Sequence, residues 1–328
     1  MNTLLDGLGR KIEYLRISVT DKCNLRCIYC MPEHGICSKP QNEILRFEEV
    51  LRFVKCAAEL GISKIRVTGG EPLIRRGIVD FIGHLTKVPG IKEVSMTTNG
   101  TLLKDVVWQL KENGLARVNI SLDTLNAEKF MHVTRWGKLD NVWSGIEAAL
   151  EAELVPVKIN TVLMRGFNDD EIMDFVNLTL RKPLHVRFIE LMPIGESDNW
   201  WQDAFLPARY VLGLIQKHYD LRVSAGLAGY GPASCYQLPG SQGSIGFITA
   251  ISEHFCSKCN RMRLTADGKL RPCLQDSFEV DVKPELRGEQ AGHKLKELIL
   301  QAVNMKPIRH YLVEGWKGQE RLMSDIGG

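Results

Sequence analysis

Between residues 12 and 192, six short apolar or β-branched runs alternate with stretches of helical period. The runs are Tyr14–Thr20, Lys64–Thr68, Glu93–Thr98, Arg117–Leu122, Val155–Leu163 and His185–Leu191. The helical stretches are Phe47–Leu60 before Gly61, Asp80–Lys87 before Pro89, Leu103–Asn113 before Gly114, Leu139–Ala152 and Asp170–Leu180. Such alternation predicts βα units on a parallel sheet. Six units predict an α/β fold, a partial (β/α)6 TIM-like barrel open on one side, rather than the eight of a closed barrel. A doubly wound sheet would carry a Gly-rich loop after its first strand, where this chain has cysteines.

Residues two apart in a strand share a face. Arg16, Ser18 and Thr20 oppose Leu15, Ile17 and Val19, and Lys64, Arg66 and Thr68 oppose Ile65 and Val67. Ser95, Thr97 and Asn99 oppose Val94 and Met96, while Asn119, Ser121 and Asp123 oppose Val118, Ile120 and Leu122. Lys158 and Asn160 oppose Val157 and Ile159. The apolar face belongs under the helices, so the polar face lines the inside. A packed barrel interior is dominated by branched apolar residues. Buried polar groups left unmet would cost about 1–3 kcal/mol each. The pattern therefore predicts a wide lumen that holds charged ligands. A solvated outer sheet face also alternates, but buried parallel strands do not unless their inner face meets ligand or water.

The loop after the first run carries Cys23, Cys27 and Cys30, with three residues between the first pair and two between the second. Soft thiolates favour zinc or iron–sulfur. A closed zinc site wants four ligands, and no further Cys or His follows closely, so a zinc knuckle would need a distant donor. Three cysteines on a four-iron cube leave one iron open to a small molecule. Gly69-Gly70-Glu71-Pro72 follows the second run. Its glycines let backbone approach a ligand closely, although the string alone is only a βα turn.

After residue 193 the pattern changes. Trp200-Trp201 and Pro207 mark a junction, Ala208–Tyr219 has helical period, and glycines are dense from Gly226 to Gly246. His293–Val303 is a further expected helix. The expected organisation is a barrel over residues 1–200 and a smaller α+β domain over 201–328 that caps the open side. A second cysteine trio, Cys256, Cys259 and Cys273, lies there. With His254 it would make a Cys3His zinc site. Arg261 and Arg263 point the same way in an extended segment, and two guanidiniums on one face suit a polyphosphate. A solvated charge pair is the plainer reading of that string.

The chain has 328 residues, 44% hydrophobic and 25% charged, with a net charge of +3, which fits a globular protein without a nucleic-acid footprint. No signal peptide or membrane-length apolar run is read. Nine cysteines, six of them in the two short-spaced groups, argue for metal or cluster ligation in a reducing cytoplasm rather than disulfides.

The Cys-x-x-x-Cys-x-aromatic-Cys loop resembles the radical S-adenosylmethionine (SAM) superfamily, and the Gly69–Pro72 string resembles its SAM-amino motif. In that superfamily the open iron is chelated by the amino and carboxylate groups of SAM. An electron from the cluster cleaves SAM to methionine and a 5′-deoxyadenosyl radical. Matching positions imply Tyr29 along the adenine, with Gly70, Ser121 and Met192 as further SAM contacts. Longer strings are similar to the GTP 3′,8-cyclase (molybdenum cofactor biosynthesis protein A) family. They are Ile17–Cys27, Val67–Leu73, Asn119–Leu125, Val186–Glu190, Cys256–Leu274 and the terminal Gly327-Gly328.

This resemblance implies two [4Fe-4S] clusters facing each other across the barrel, the second binding guanine. It implies GTP contacts at Arg16, Arg66, Thr97, Lys158 and Arg261-Met262-Arg263. Catalytic roles fall on Arg16, Arg261, Arg263 and the Gly327-Gly328 tail. The implied reaction takes hydrogen from ribose C3′ and joins that carbon to guanine C8, opening molybdenum cofactor biosynthesis. Implied partners are an electron donor such as flavodoxin or ferredoxin and the next pathway enzyme, cyclic pyranopterin monophosphate synthase. A homodimer is left open, and no nucleic acid or membrane is expected. Two readings compete: a radical SAM maturase of peptides, which usually has more C-terminal cysteines, and a non-enzymatic zinc-ribbon module. One departure from the family is Arg46 before Phe47, where relatives commonly have Ser or Thr as a helix cap.

Overall fold

A computed structural model describes residues 3–37, 39–194, 200–224, 233–288, 292–310 and 321–327. Among the described residues, twelve strands form one sheet. The first six are β1 (Tyr14–Ser18), β2 (Lys64–Thr68), β3 (Glu93–Thr98), β4 (Arg117–Ser121), β5 (Val157–Leu163) and β6 (Leu184–Glu190). All six pair in sequence order and in parallel. The others are β7 (Arg222–Val223), β8 (Ser234–Gln237), β9 (Ser244–Ile248), β10 (Arg261–Leu264), β11 (Lys269–Arg271) and β12 (Val280–Asp281). From the C-terminal half, β9 adds in parallel to β6, and β10 adds in parallel to β1. The sheet order runs from β12 through β10 and β1 to β6, then β9 to β7. Among the described residues hydrogen bonds do not close the ring, so this is the expected partial barrel. Its arc is lengthened at both ends by strands from after residue 201.

Helices α1 (Phe47–Leu60), α2 (Ile78–Thr86), α3 (Val107–Glu112), α4 (Ala127–Thr134), α5 (Leu139–Glu151) and α6 (Ile172–Arg181) follow the first strands. Further along are α7 (Trp200–Ala204), α8 (Ala208–Gln216), α9 (Lys283–Arg287), α10 (His293–Asn304) and α11 (Met323–Ile326). The core lies between helices and sheet. Leu15, Ile17, Ile65, Val67, Val94, Met96, Val118, Ile120 and Ile159, all from the predicted apolar face, are buried in it. Helix α4 was not expected from the sequence. It is only 8 residues long, but Asn126 marks its start by accepting the backbone N–H groups of Glu128 and Lys129 at 2.9 and 3.0 Å.

Some expected lumen residues do other work. Lys64 pairs with Glu13 at 3.0 Å, and the Ser95 hydroxyl donates to the Ile65 carbonyl at 3.2 Å. Neither side chain reaches the central cavity. The N-terminal ends of the strands are thus sealed by local pairing, which leaves the lumen open toward the C-terminal ends.

At the start of α1, Arg46 has no acceptor to offer the first turn. Glu49, fully buried, supplies half of a capping box by accepting the Arg46 backbone N–H at 2.7 Å. Arg287 also donates to Glu49 at 3.0 Å. Replacing Arg46 with Ser adds the missing acceptor. It should stabilise the fold by about 1 kcal/mol in urea denaturation.

Candidate active site

One cavity runs along the inside of the arc, with about 310 Å³ open to the centres of water-sized molecules. Cys23, Cys27 and Cys30 line one part, and Cys256, Cys259 and Cys273 line another. Between them stand Arg16, Arg66, Thr97, Asn119, Lys158, Arg187, Arg261 and Arg263. All nine cysteines are free thiols.

The first trio rides on a loop braced from two sides. From the end of α4, Val133 and Thr134 accept loop N–H groups at 3.0 and 3.2 Å. The Trp136 indole donates to the Asn24 carbonyl at 2.8 Å, and Arg135 donates to the Arg26 and Met31 carbonyls. From the β2 side, the N–H groups of Gly70 and Glu71 donate to the carbonyls of Thr20 and Lys22 at 2.8 and 2.9 Å. Gly70 is needed for this close approach, because a Cβ there would lie 2.2 Å from the Lys22 carbonyl oxygen. Buried Glu71 accepts the N–H of Asn99 at 2.7 Å, and the Asn99 amide reaches the Cys23 sulfur at 3.8 Å. Burial pushes the Glu71 carboxyl up to about 7. The Tyr29 hydroxyl donates to Asp123 at 2.5 Å, which fixes the ring beside the trio. Burial pushes Asp123 up to about 6.

The second trio owes its place to β10. That strand lies beside β1 with Arg261 opposite Tyr14 and Arg263 opposite Arg16. Residues some 250 apart in sequence therefore share one ladder. Arg263 donates to the Gly327 carbonyl at 2.6 Å. Gly327, at φ +79°, packs so tightly on Ser18 and Thr68 that a Cβ would come within 2.9 Å of the Thr68 methyl. The tail is anchored further back, where Arg321 pairs with Asp267 at 3.0 Å and Glu279 at 2.7 Å. Burial opposes ionisation of Asp267, but Arg321 outweighs it and holds the carboxyl down at about 2.

The thiol spacing tests the zinc alternative. A tetrahedral zinc with sulfur at about 2.3 Å brings thiolates to within about 3.8 Å of one another. Among the described residues, one trio of ligating atoms falls within a 4.8 Å span: His254, Cys256 and His310. Among the described residues neither cysteine trio is gathered into that span, so neither is preformed around a single zinc ion. His254 does not bring Cys259 and Cys273 into a Cys3His set. Its Nδ1 lies 2.9 Å from Nε2 of His310 instead.

The cavity's electrostatics are one-sided. Arg66, Lys158, Arg187 and Arg263 are buried. Burial lowers all four, with repulsion from neighbouring cations adding to it, Lys158 to about 7 and Arg187 to about 10. Enclosure and Arg66 push Arg16 down to about 9. The Nε of Arg66, Oγ1 of Thr97 and Oδ1 of Asn119 are buried without a hydrogen-bond partner among the described residues. Two of these, the Arg66 N–H and the Thr97 hydroxyl, are donors left unmet beside crowded cations, as suits a site shaped for a polyanion.

Of the residues expected from sequence, Arg16, Tyr29, Arg66, Gly70, Thr97, Ser121, Lys158, Met192, Arg261, Arg263 and the six cysteines all line this cavity. Met262 does not line it: its side chain is 2% exposed and packed in the apolar core, because strand neighbours point to opposite faces. Gly328 lies outside the described residues. Sequence reasoning missed Arg187 and Lys306, which also line the cavity. The parity argument, carried on to β6, would have found Arg187. Lys306 follows α10 and has no local signal.

Comparison with known proteins agrees with this geometry. The Radical SAM superfamily signature matches residues 17–179, and that of Molybdenum Cofactor Synthesis C matches residues 184–312. A GTP 3′,8-cyclase of Pelotomaculum thermopropionicum is 51% identical over 98% of this chain and 99% of its own length. The chain belongs to the GTP 3′,8-cyclase family. A second family member, from Heliobacterium modesticaldum, is also 51% identical, over 99% of this chain and 100% of its own. Among solved structures, Streptococcus suis SuiB bound to S-adenosylmethionine superposes with a TM-score of 0.60. It is 14% identical and covers 85% of this chain and 64% of its own. The anSMEcpe structure with bound AdoMet gives 0.56 at 16% identity, covering 87% of this chain and 79% of its own. Both likenesses concern the fold alone. Among the described residues, no helix is long and apolar enough to cross a membrane.

The depressed Lys158 sets a pH test. Near pH 7 this amine is only partly protonated, and a bound polyanion favours its charged form. Sulfate, an anion that does not itself titrate near neutrality, should therefore bind with net proton uptake, and its affinity should fall as pH rises through 7. Calorimetry in two buffers of different ionisation enthalpy reads the uptake directly.

Proposed function

We infer that this chain is a radical SAM GTP 3′,8-cyclase. It converts GTP to (8S)-3′,8-cyclo-7,8-dihydroguanosine 5′-triphosphate, the opening step of molybdenum cofactor biosynthesis. The observation that carries the reading is one cation-lined cavity with a three-thiol mouth in each half, in a chain of this family. Cys23, Cys27 and Cys30 would hold a SAM-binding [4Fe-4S] cluster, and Cys256, Cys259 and Cys273 a second, guanine-binding one. When bound, the first cluster and SAM supply a 5′-deoxyadenosyl radical able to take the ribose C3′ hydrogen.

The chain's own residues do the positioning. Tyr29, held by Asp123, offers a flat face for adenine, and Gly70, Ser121 and Met192 line the same cavity as further SAM contacts. Arg16, Arg66, Thr97, Lys158, Arg261 and Arg263 hold the triphosphate, each charge counting for more in a cavity poor in water. Residues 1–200 serve as the radical-generating barrel and 201–328 as the part that presents the nucleotide. Met323 and Ser324 line the cavity, and Arg263 donates to the Gly327 carbonyl, which supports a role for the C-terminal glycines in completing the site. Flavodoxin or ferredoxin supplies electrons in a reducing cytoplasm, and cyclic pyranopterin monophosphate synthase takes the product.

The direct test is anaerobic incubation of reduced protein with SAM and GTP. The cyclised nucleotide should appear together with 5′-deoxyadenosine, and iron without zinc should accompany the protein. A protein that holds zinc and makes no cyclised nucleotide overturns the reading.

Replacing Arg261 or Arg263 with Ala should lower GTP turnover by at least tenfold. SAM cleavage by the dithionite-reduced variant should persist, which separates substrate grip from radical generation. Removing Gly327 and Gly328 should leave iron content unchanged and abolish cyclisation, as read by metal analysis and product assay on one preparation.

A further inference from the structure

Two buried cations hold the second cysteine trio from outside the ligand loop. Arg10, 8% exposed, donates through Nη1 to the Cys256 carbonyl at 2.9 Å. Its Nη2 donates to the carbonyls of Lys306 at 3.3 Å and Pro307 at 2.9 Å, and its Nε to Asp6 at 2.5 Å. Lys306, 7% exposed, donates through Nζ to the Arg261 carbonyl at 2.8 Å and the Pro272 carbonyl at 2.6 Å. Every cysteine of the trio thus lies within two residues of a carbonyl gripped by one of these cations: Cys256 itself, Arg261 after Cys259, and Pro272 before Cys273.

This bracket is more than packing. The ammonium of Lys306 lines the cavity that the three thiols face. The two carbonyls that accept from it are neutral, so they orient its charge without cancelling it. Burying such a charge is costly unless something anionic shares the space. Three thiolates on an iron–sulfur cube provide that, and a fixed positive charge in a low-dielectric site favours the state with the extra electron.

We propose that Lys306, docked by Arg10, is a positioning residue of the second trio. It fixes the separation of the Cys259 and Cys273 limbs, and its ammonium raises the reduction potential of the cluster held there. The proposal rests on reading Cys256, Cys259 and Cys273 as a cluster site.

The test uses two backgrounds. In a full-length chain with Cys23, Cys27 and Cys30 replaced by Ala, all bound iron belongs to the second trio. There the parent should take up one four-iron cluster. Lys306→Met should lose at least half of that iron or hold the cluster at a more negative midpoint potential by EPR-monitored titration. Lys306→Arg should bring the potential back toward the parent value, and Arg10→Met should lose iron as Lys306→Met does. In the otherwise unaltered chain, Lys306→Met should still cleave SAM with dithionite, which shows that the barrel is intact.

Equal iron and equal potential in parent and Lys306→Met overturn the proposal. So does loss of SAM cleavage along with the second cluster, which would make Lys306 a general folding residue. A parent that takes up zinc or no iron overturns the cluster reading itself, a failure visible before any Lys306 variant is compared.

Discussion

Burial of cations inside the sheet arc, sharpened by their repulsion, governs this molecule. Arg16, Arg66, Lys158, Arg187, Arg261 and Arg263 converge on one cavity. Glu71 and Asp123, the buried acids near its first thiol mouth, are tied up by backbone N–H groups and Tyr29. Charges so crowded disfavour the empty fold, and the rest of the structure holds them there. The apolar faces of the strands bury under the helices, the strand N-termini are plugged by Lys64–Glu13, and the cysteine loops are braced from outside. What destabilises the empty protein is what gives a polyanion its grip.

Much of this was legible in the sequence because a parallel strand with a wet inner face must alternate. Arg16, Arg66, Thr97 and Lys158 could be placed in the lumen by parity alone, and they line it. The same rule misled at the strand beginnings, where Lys64 and Ser95 share the parity but are consumed by local partners. It also shows why Met262 does not belong with its neighbours. Parity fixes a face, whereas depth along the strand decides whether that face meets ligand.

Other features had no local signature. Nothing in the string around Arg261 says that its strand will pair with β1, since that ladder joins the two ends of the chain. Lys306 and Arg10 act through backbone carbonyls, which any sequence supplies. Gly70 was legible as a close-approach residue, but the group it approaches is the carbonyl of Lys22 rather than a ligand alone. The motif therefore serves to brace the cysteine loop as well as to line the cavity.

One neighbour of the first strand is made late. Until Arg261–Leu264 has left the ribosome, β1 presents a bare edge of unpaired amides and carbonyls, a template for pairing with another chain. Any product of interrupted translation that ends before residue 261 keeps that edge open for good, along with a half-built lumen of unscreened guanidiniums. Such fragments are marked for aggregation or degradation, so an abundant stable truncation of this chain is not to be expected.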